Sequence, residues 1–181
     1  MPIQKIRSSM IPEGEIVASD LALSSRGVLQ AVYAKLNGTP SFSGAQNVWV
    51  DTNLTATITP TSSSSKIMIM VSFVAYHGTS GTDNNFRILC NGEYINVNTS
   101  PDSGSSAANA IGSNFRGADE WLQGFRITYT TLHSPESTSA QTYKMQATTE
   151  LSTLYMNRGS QSGQTRFGNP PAELVLLEVS A

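Results

Sequence analysis

Lys66-Ile-Met-Ile-Met-Val-Ser-Phe-Val-Ala-Tyr76 is a nearly unbroken apolar run inside a polar, Ser/Thr-rich chain. Small antiparallel sheets cover one face and leave the other to water, so their strands alternate apolar with polar residues. Here both parities are apolar, and the second face needs a cover of its own. A second or third copy of the chain is the simplest one. The closing segment Ala172-Glu-Leu-Val-Leu-Leu-Glu-Val179 repeats the pattern through Leu174, Val175, Leu176, Leu177 and Val179. It suits a central position in a sheet. Both runs direct the reading toward a structural or adhesive oligomer before an enzyme.

Composition supports an all-β chain. Charged residues are 13% of the 181 residues, about half the usual level. Ser and Thr are roughly a quarter, so solubility rests on hydroxyls and amides. Turn formers and β-branched residues abound, while a Glu/Lys/Ala/Leu-rich helical composition is missing. The length fits one domain with an arm attached. A net charge of -2 provides no electrostatic footprint for nucleic acid or an anionic membrane. The single cysteine, Cys90, allows no intrachain disulfide and reads as a small buried hydrophobe. Met1-Pro-Ile-Gln-Lys-Ile-Arg7 lacks an apolar signal core, and the longest apolar run is too short for a membrane helix. The expectation is synthesis in a cytoplasm, with no membrane insertion.

Residues 1–27 differ from the remainder. Pro12 and Gly14 break any helix, yet Ile3, Ile6, Ile11, Ile16, Leu21 and Leu23 are too apolar for a solvated tail. This segment reads as a docking arm that orders on contact with another protein. From Val28 onward strands recur between turn signals. They are expected at Val28–Lys35, Asn47–Thr52, Thr55–Thr59, Ile67–Tyr76, Asn84–Cys90, Glu93–Val97, Phe125–Thr131, Thr142–Thr148, Leu154–Asn157 and Ala172–Val179. Asn91-Gly92 predicts a two-residue hairpin turn. Residues 98–117 form a long polar loop. About eight to ten strands at this spacing predict an antiparallel jelly-roll sandwich over residues 28–181. Ile67, Ile69, Val71, Phe73, Leu174 and Leu176 are the candidates for its core or for a subunit interface.

Chemistry is sparse. His77 and His133 sit at strand ends, outside any nucleophile motif or zinc spacing. Asp51, Asp102, Asp119, Glu120 and Glu150 are carboxylates that sequence cannot pair for glycoside hydrolysis. No phosphate-cradling glycine loop is present. We expect a non-enzyme with no catalytic residue, metal or cofactor. Aromatics beside polar loops suit sugar recognition, since a sugar's apolar face packs on a ring. Trp121, Tyr155, Arg158 and Arg166 are therefore the candidates for binding a glycan.

The phrases Gly27-Val-Leu-Gln-Ala-Val32 and Trp49-Val-Asp-Thr-Asn-Leu-Thr-Ala-Thr-Ile-Thr-Pro-Thr-Ser-Ser-Ser-Ser-Lys-Ile-Met-Ile-Met-Val71 resemble small virion proteins of tailed bacteriophages. So do Tyr129-Thr-Thr-Leu-His-Ser-Pro135, Thr142-Tyr-Lys-Met-Gln146 and Tyr155-Met-Asn-Arg158. The resemblance spans Gly27 to the C-terminus and is to tail-fibre or appendage proteins. It implies a jelly roll like those of tumour-necrosis-factor and complement-C1q domains, assembled as a homotrimer. It also implies residence on the virion, with the arm docked on another virion protein and the knob at the host surface. A trimeric capsid decoration protein and a carbohydrate-binding module are the alternatives.

Overall fold

Residues 27–43, 48–77, 84–95, 124–149, 153–159 and 168–181 are described by a computed structural model. They form ten strands: β1 Val28–Leu36, β2 Ser41–Ser43, β3 Val50–Ile58, β4 Lys66–His77, β5 Asn84–Cys90, β6 Glu93–Tyr94, β7 Phe125–His133, β8 Gln141–Thr149, β9 Thr153–Met156 and β10 Ala172–Val179. All pair antiparallel in two sheets. The six-stranded sheet runs β1-β10-β4-β7, with β9 and β2 continuing beside the C-terminal part of β4. The four-stranded sheet runs β3-β8-β5-β6. Without β2 and β9, these orders are first-eighth-third-sixth and second-seventh-fourth-fifth. That double Greek key is a jelly roll.

Alternation decides which side chains enter the core. Ile67, Ile69, Val71, Phe73 and Ala75 of β4, with Ala172, Leu174 and Leu176 of β10, meet Leu54, Ala56 and Ile58 of β3. Phe86 and Ile88 of β5 and Tyr143, Met145 and Ala147 of β8 complete the layer. Phe73 and Phe86 join the two sheets, with ring centroids 4.6 Å apart and planes tilted by 60°. The six apolar candidates of β4 and β10 are thus core residues, each at most 1% exposed.

Two strand expectations change. The segments expected at Asn47–Thr52 and Thr55–Thr59 are one strand, β3. A register shift between Asp51 and Thr55 accompanies a left-handed Asn53, φ 65°, and this irregularity mimics a turn in the sequence. Thr52 points inward there and donates from Oγ1 to the Met145 carbonyl at 2.8 Å. The short β2 had no sequence signal: three residues, Ser-Phe-Ser, carry too little alternation to stand out. The Asn91-Gly92 turn is as expected. Both residues have positive φ, 52° and 95°, which a type I′ hairpin requires.

One buried charge ties the larger sheet to its neighbour. Glu178 points inward from β10 and is fully buried. Its Oε1 accepts from the Thr61 backbone N–H and from Thr61 Oγ1, both at 2.7 Å. Its Oε2 accepts from Gln30 Nε2 at 2.6 Å. Burial pushes the carboxyl's pKa up, but the bonds from Gln30, Ser65 and Thr61 outweigh it and hold the group at about 2. A folded-state pKa below the ordinary 4.5 means that ionised Glu178 favours the fold above pH 4.5. That contribution is lost as pH falls from 4.5 through about 2. We predict that Glu178→Gln lowers stability at neutral pH by about 2 kcal/mol. It should also flatten the acid limb of stability over that window. Urea unfolding at a series of pH values checks both; an unchanged acid limb would refute the assignment.

Candidate functional site

The larger sheet has an outer face, and its chemistry is unusual. Register places Ala31, Leu177, Met68 and Leu132 in one row across β1, β10, β4 and β7. Tyr33, Val175, Met70 and Thr130 form the next row. Met68, Met70, Val175 and Leu177 are half-buried by their neighbours, while Tyr33 is 57% and Leu132 44% exposed. Val28 and Val179 extend the patch at one end. A polar border surrounds it. Lys35, Glu173, Ser72 and Thr128 form the following row, Lys66 lies opposite Val179, and Arg126 donates from Nε to Ser72 Oγ at 3.2 Å. Tyr33 Oη reaches Glu173 Oε1 at 2.9 Å, joining centre to border.

These outward residues are not the ones singled out in the sequence. Ile67, Ile69, Val71, Phe73, Leu174 and Leu176 face inside, and the other parity carries the exposed apolar surface. Period-2 alternation held the signal, since Met68 and Met70 stand between the core residues of β4. Which parity faced inward was not readable from two equally apolar rows.

Two glycan candidates do come together. Tyr155 lies directly opposite Tyr76 in the β4–β9 ladder, with ring centroids 5.8 Å apart. Arg158 covers both, its guanidinium 4.4 Å from the Tyr155 centroid and 5.1 Å from that of Tyr76. Burial raises the Tyr76 phenol, partly offset by the Arg158 charge. Asn157 anchors the corner, donating from Nδ2 to the carbonyls of Leu36 and Gly38 at 2.8 and 3.0 Å. Trp121, Arg166 and the arm residues Ile3, Ile6, Ile11, Ile16, Leu21 and Leu23 lie outside the described residues, as does the loop 98–117. Cys90 is buried, with Sγ 3.4 Å from Gln141 Oε1. His133 Nδ1 is 2.8 Å from Tyr143 Oη, and burial lowers its pKa. Among the described residues no three His, Cys, Asp or Glu side chains gather as metal ligands would.

No family model and no curated protein matches the chain. Among solved structures, it is similar to VP2 of infectious bursal disease virus, in the crystal structure of its subviral particle. That similarity has 15% sequence identity and a TM-score of 0.39, and covers 84% of this chain. The chain spans 37% of the length of that protein.

Gly124 sets how closely β7 approaches the Arg158 corner. Its N–H donates to the Gly159 carbonyl at 2.8 Å. A Cβ there would stand 2.4 Å from the Arg158 carbonyl oxygen and 2.8 Å from Val74 Cγ1. Backbone on one side and a buried valine on the other have little room to give. Gly124→Ala is therefore expected to destabilise the domain by about 2–3 kcal/mol, read as a lower unfolding midpoint. A Gly124→Ala variant as stable as the parent would contradict this packing.

Proposed function

We propose that the chain is a virion structural protein of the tailed-bacteriophage type. It would work as a homotrimer at the tip of a tail fibre or appendage and help the particle contact its host. The observation carrying this reading is the apolar outer face of the β1-β10-β4-β7 sheet. Four strands about 4.8 Å apart, with same-face residues about 7 Å apart along each, give a central patch of ~300–400 Å². A patch of this size is often functional. An apolar centre within a charged border is the anatomy of a protein interface, and the border would supply the remainder of the ~800 Å² that each side of a stable contact buries. A second copy of the same chain is the occupant that fits. Glu173 stands with Lys35, Lys66 and Arg126 around the patch, so each copy can offer one carboxylate to a cation of its neighbour. The threefold count and the virion location rest on the sequence phrases shared with appendage proteins.

Three knobs on one particle gain by effective concentration what each lacks alone, and many particle appendages multiply it. Contact with the host therefore needs only weak individual sites.

Sedimentation equilibrium of the full chain is expected to give the mass of a trimer. Met70→Glu combined with Leu177→Glu would bury uncompensated charge between subunits. We predict that this pair weakens assembly by at least ~100-fold, which is ~2.7 kcal/mol, while circular dichroism stays that of the parent. A monomeric parent at micromolar concentration would overturn the self-association. Antibody labelling of purified particles separates the two virion positions. Label at the tail tip agrees with an appendage, and label spread over the shell replaces it with capsid decoration.

A further inference from the structure

The opposite outer surface, on the four-stranded sheet, has a different character. Its outward residues Asn53, Thr55, Thr57 and Thr142 are exposed or half-buried and polar, while Asn85, Leu89 and Thr148 of the same face are buried. At one end of this field an aromatic and charged cluster stands out. Register sets Asp51, Gln146 and Arg87 side by side across β3, β8 and β5, with Lys144 and Tyr94 each one ladder step away.

A continuous chain of bonds fixes these groups. Lys144 Nζ donates to Asp51 Oδ2 at 2.9 Å, and Gln146 Nε2 donates to Asp51 Oδ1. Gln146 Oε1 accepts from Arg87 Nε at 2.8 Å, and Arg87 Nη1 donates to Tyr94 Oη at 3.1 Å. The guanidinium carbon lies 4.1 Å from the Trp49 ring centroid and 4.6 Å from that of Tyr94. The bonds from Lys144 and Gln146 hold the Asp51 carboxyl below its ordinary pKa.

We propose that this cluster is a carbohydrate-binding site, in which the exposed ring of Tyr94 packs against the apolar face of a sugar while Asp51, Gln146 and Arg87 bind its hydroxyls and Trp49, against which the guanidinium already lies, holds Arg87 in place. A guanidinium has five N–H donors. The bonds above use only the Nε donor and one on Nη1. Asp51 has lone pairs beyond the two already engaged. Adjacent sugar hydroxyls each donate and accept, so they need planar donors and acceptors set side by side, which the Asp51-Gln146-Arg87 row provides. Because neighbours already orient each group, little side-chain entropy is lost when the ligand arrives. Tyr94 remains 44% exposed. Trp, Tyr and Arg together are also the residues that anchor recognition surfaces. A ladder serving stability alone would need the ion pair but not an exposed ring against the guanidinium. The flat hydroxyl-rich field beside the cluster suits an extended saccharide over a single enclosed sugar. The site deepens the host-contact reading, because an oligomer closed on the larger sheet leaves this face outward.

The test is saturation-transfer NMR on the full chain, with maltohexaose, chitohexaose, oligogalacturonate and oligosialic acid as separate probes at ~5 mM, a concentration suited to weak single sites. Transfer to at least one probe is expected, and Tyr94→Ala should weaken it by ~10-fold or more, the loss of about 1.4 kcal/mol. Tyr94 is exposed, so this variant keeps its fold; Arg87→Gln, checked by circular dichroism, should have the same effect. No transfer from any of the four probes, or equal transfer in Tyr94→Ala, overturns the site. Binding per chain should persist in the Met70→Glu, Leu177→Glu pair. Binding by a parent that proves monomeric would remove the trimer and leave the sugar site standing.

Discussion

A sandwich has one interior, and its two central strands here each carry two apolar rows. That constraint governs the molecule. One row of β4 and β10 fills the core, and the other must face out wherever the register is native. A one-residue slip would exchange the rows at little apolar penalty, because Met68, Met70, Val175 and Leu177 are as hydrophobic as the residues they would replace. Hydrophobicity alone therefore specifies this register weakly. Glu178 supplies the missing specification. It shares the inward parity with Leu174 and Leu176, and its partners Thr61 and Gln30 stand where only that parity delivers a carboxylate. The slipped register would strand the Thr61 N–H without its acceptor and place a valine against it. A buried charge used to select one arrangement among near-equals is a recognised role for such groups.

Much of this was legible in the sequence. The apolar runs, Asn91-Gly92 and the alternation of Tyr143, Met145 and Ala147 place strands and turn where the structure has them. The central position of the last strand follows from its doubly apolar pattern, and β10 does lie between β1 and β4. Three things were hidden for physical reasons. The parity of the central strands depends on Glu178 finding Thr61, a tertiary match between residues 117 positions apart. The continuity of β3 through Asn53 depends on a backbone irregularity that looks like a chain break to any local rule. The Trp49-Arg87-Tyr94 cluster joins the β5–β6 hairpin to the start of β3, and these two meet only through β8. Each residue alone is an unremarkable aromatic or cation, and no local pattern in the sequence brings the three together.

In the proposed assembly the two outer faces have distinct roles. The larger sheet presents aliphatic and thioether side chains, which gain by leaving water, while the β3 edge of the smaller presents exposed or half-buried hydroxyls, amides and ions. Burying the wrong face would strand the Asp51, Lys144 and Arg87 charges in an interface and leave the Met68–Leu177 surface wet. The proposed association through the larger sheet would be favoured by both faces at once, positively by one and through avoided desolvation by the other.

The long axis of the domain gives the same scheme a direction. Gly27, where the described chain begins, exchanges two hydrogen bonds with Ser180, just beyond the end of β10. Gln30 there also reaches the Thr59 carbonyl at 2.6 Å, so the entry of the chain lies beside the C-terminal end of β3. Asp51 lies eight residues earlier on that strand. Allowing for the irregularity at Asn53, this is a separation of about 20 Å at 3.3 Å per residue. In the proposed assembly a threefold axis along the sheets would bring three chain entries to one end and three Asp51 clusters to the other. Anything held through residues 1–27 would then present the proposed sugar sites away from its anchor. Tethering and contact would be separated by the length of the strands alone, with no shaft required inside the domain.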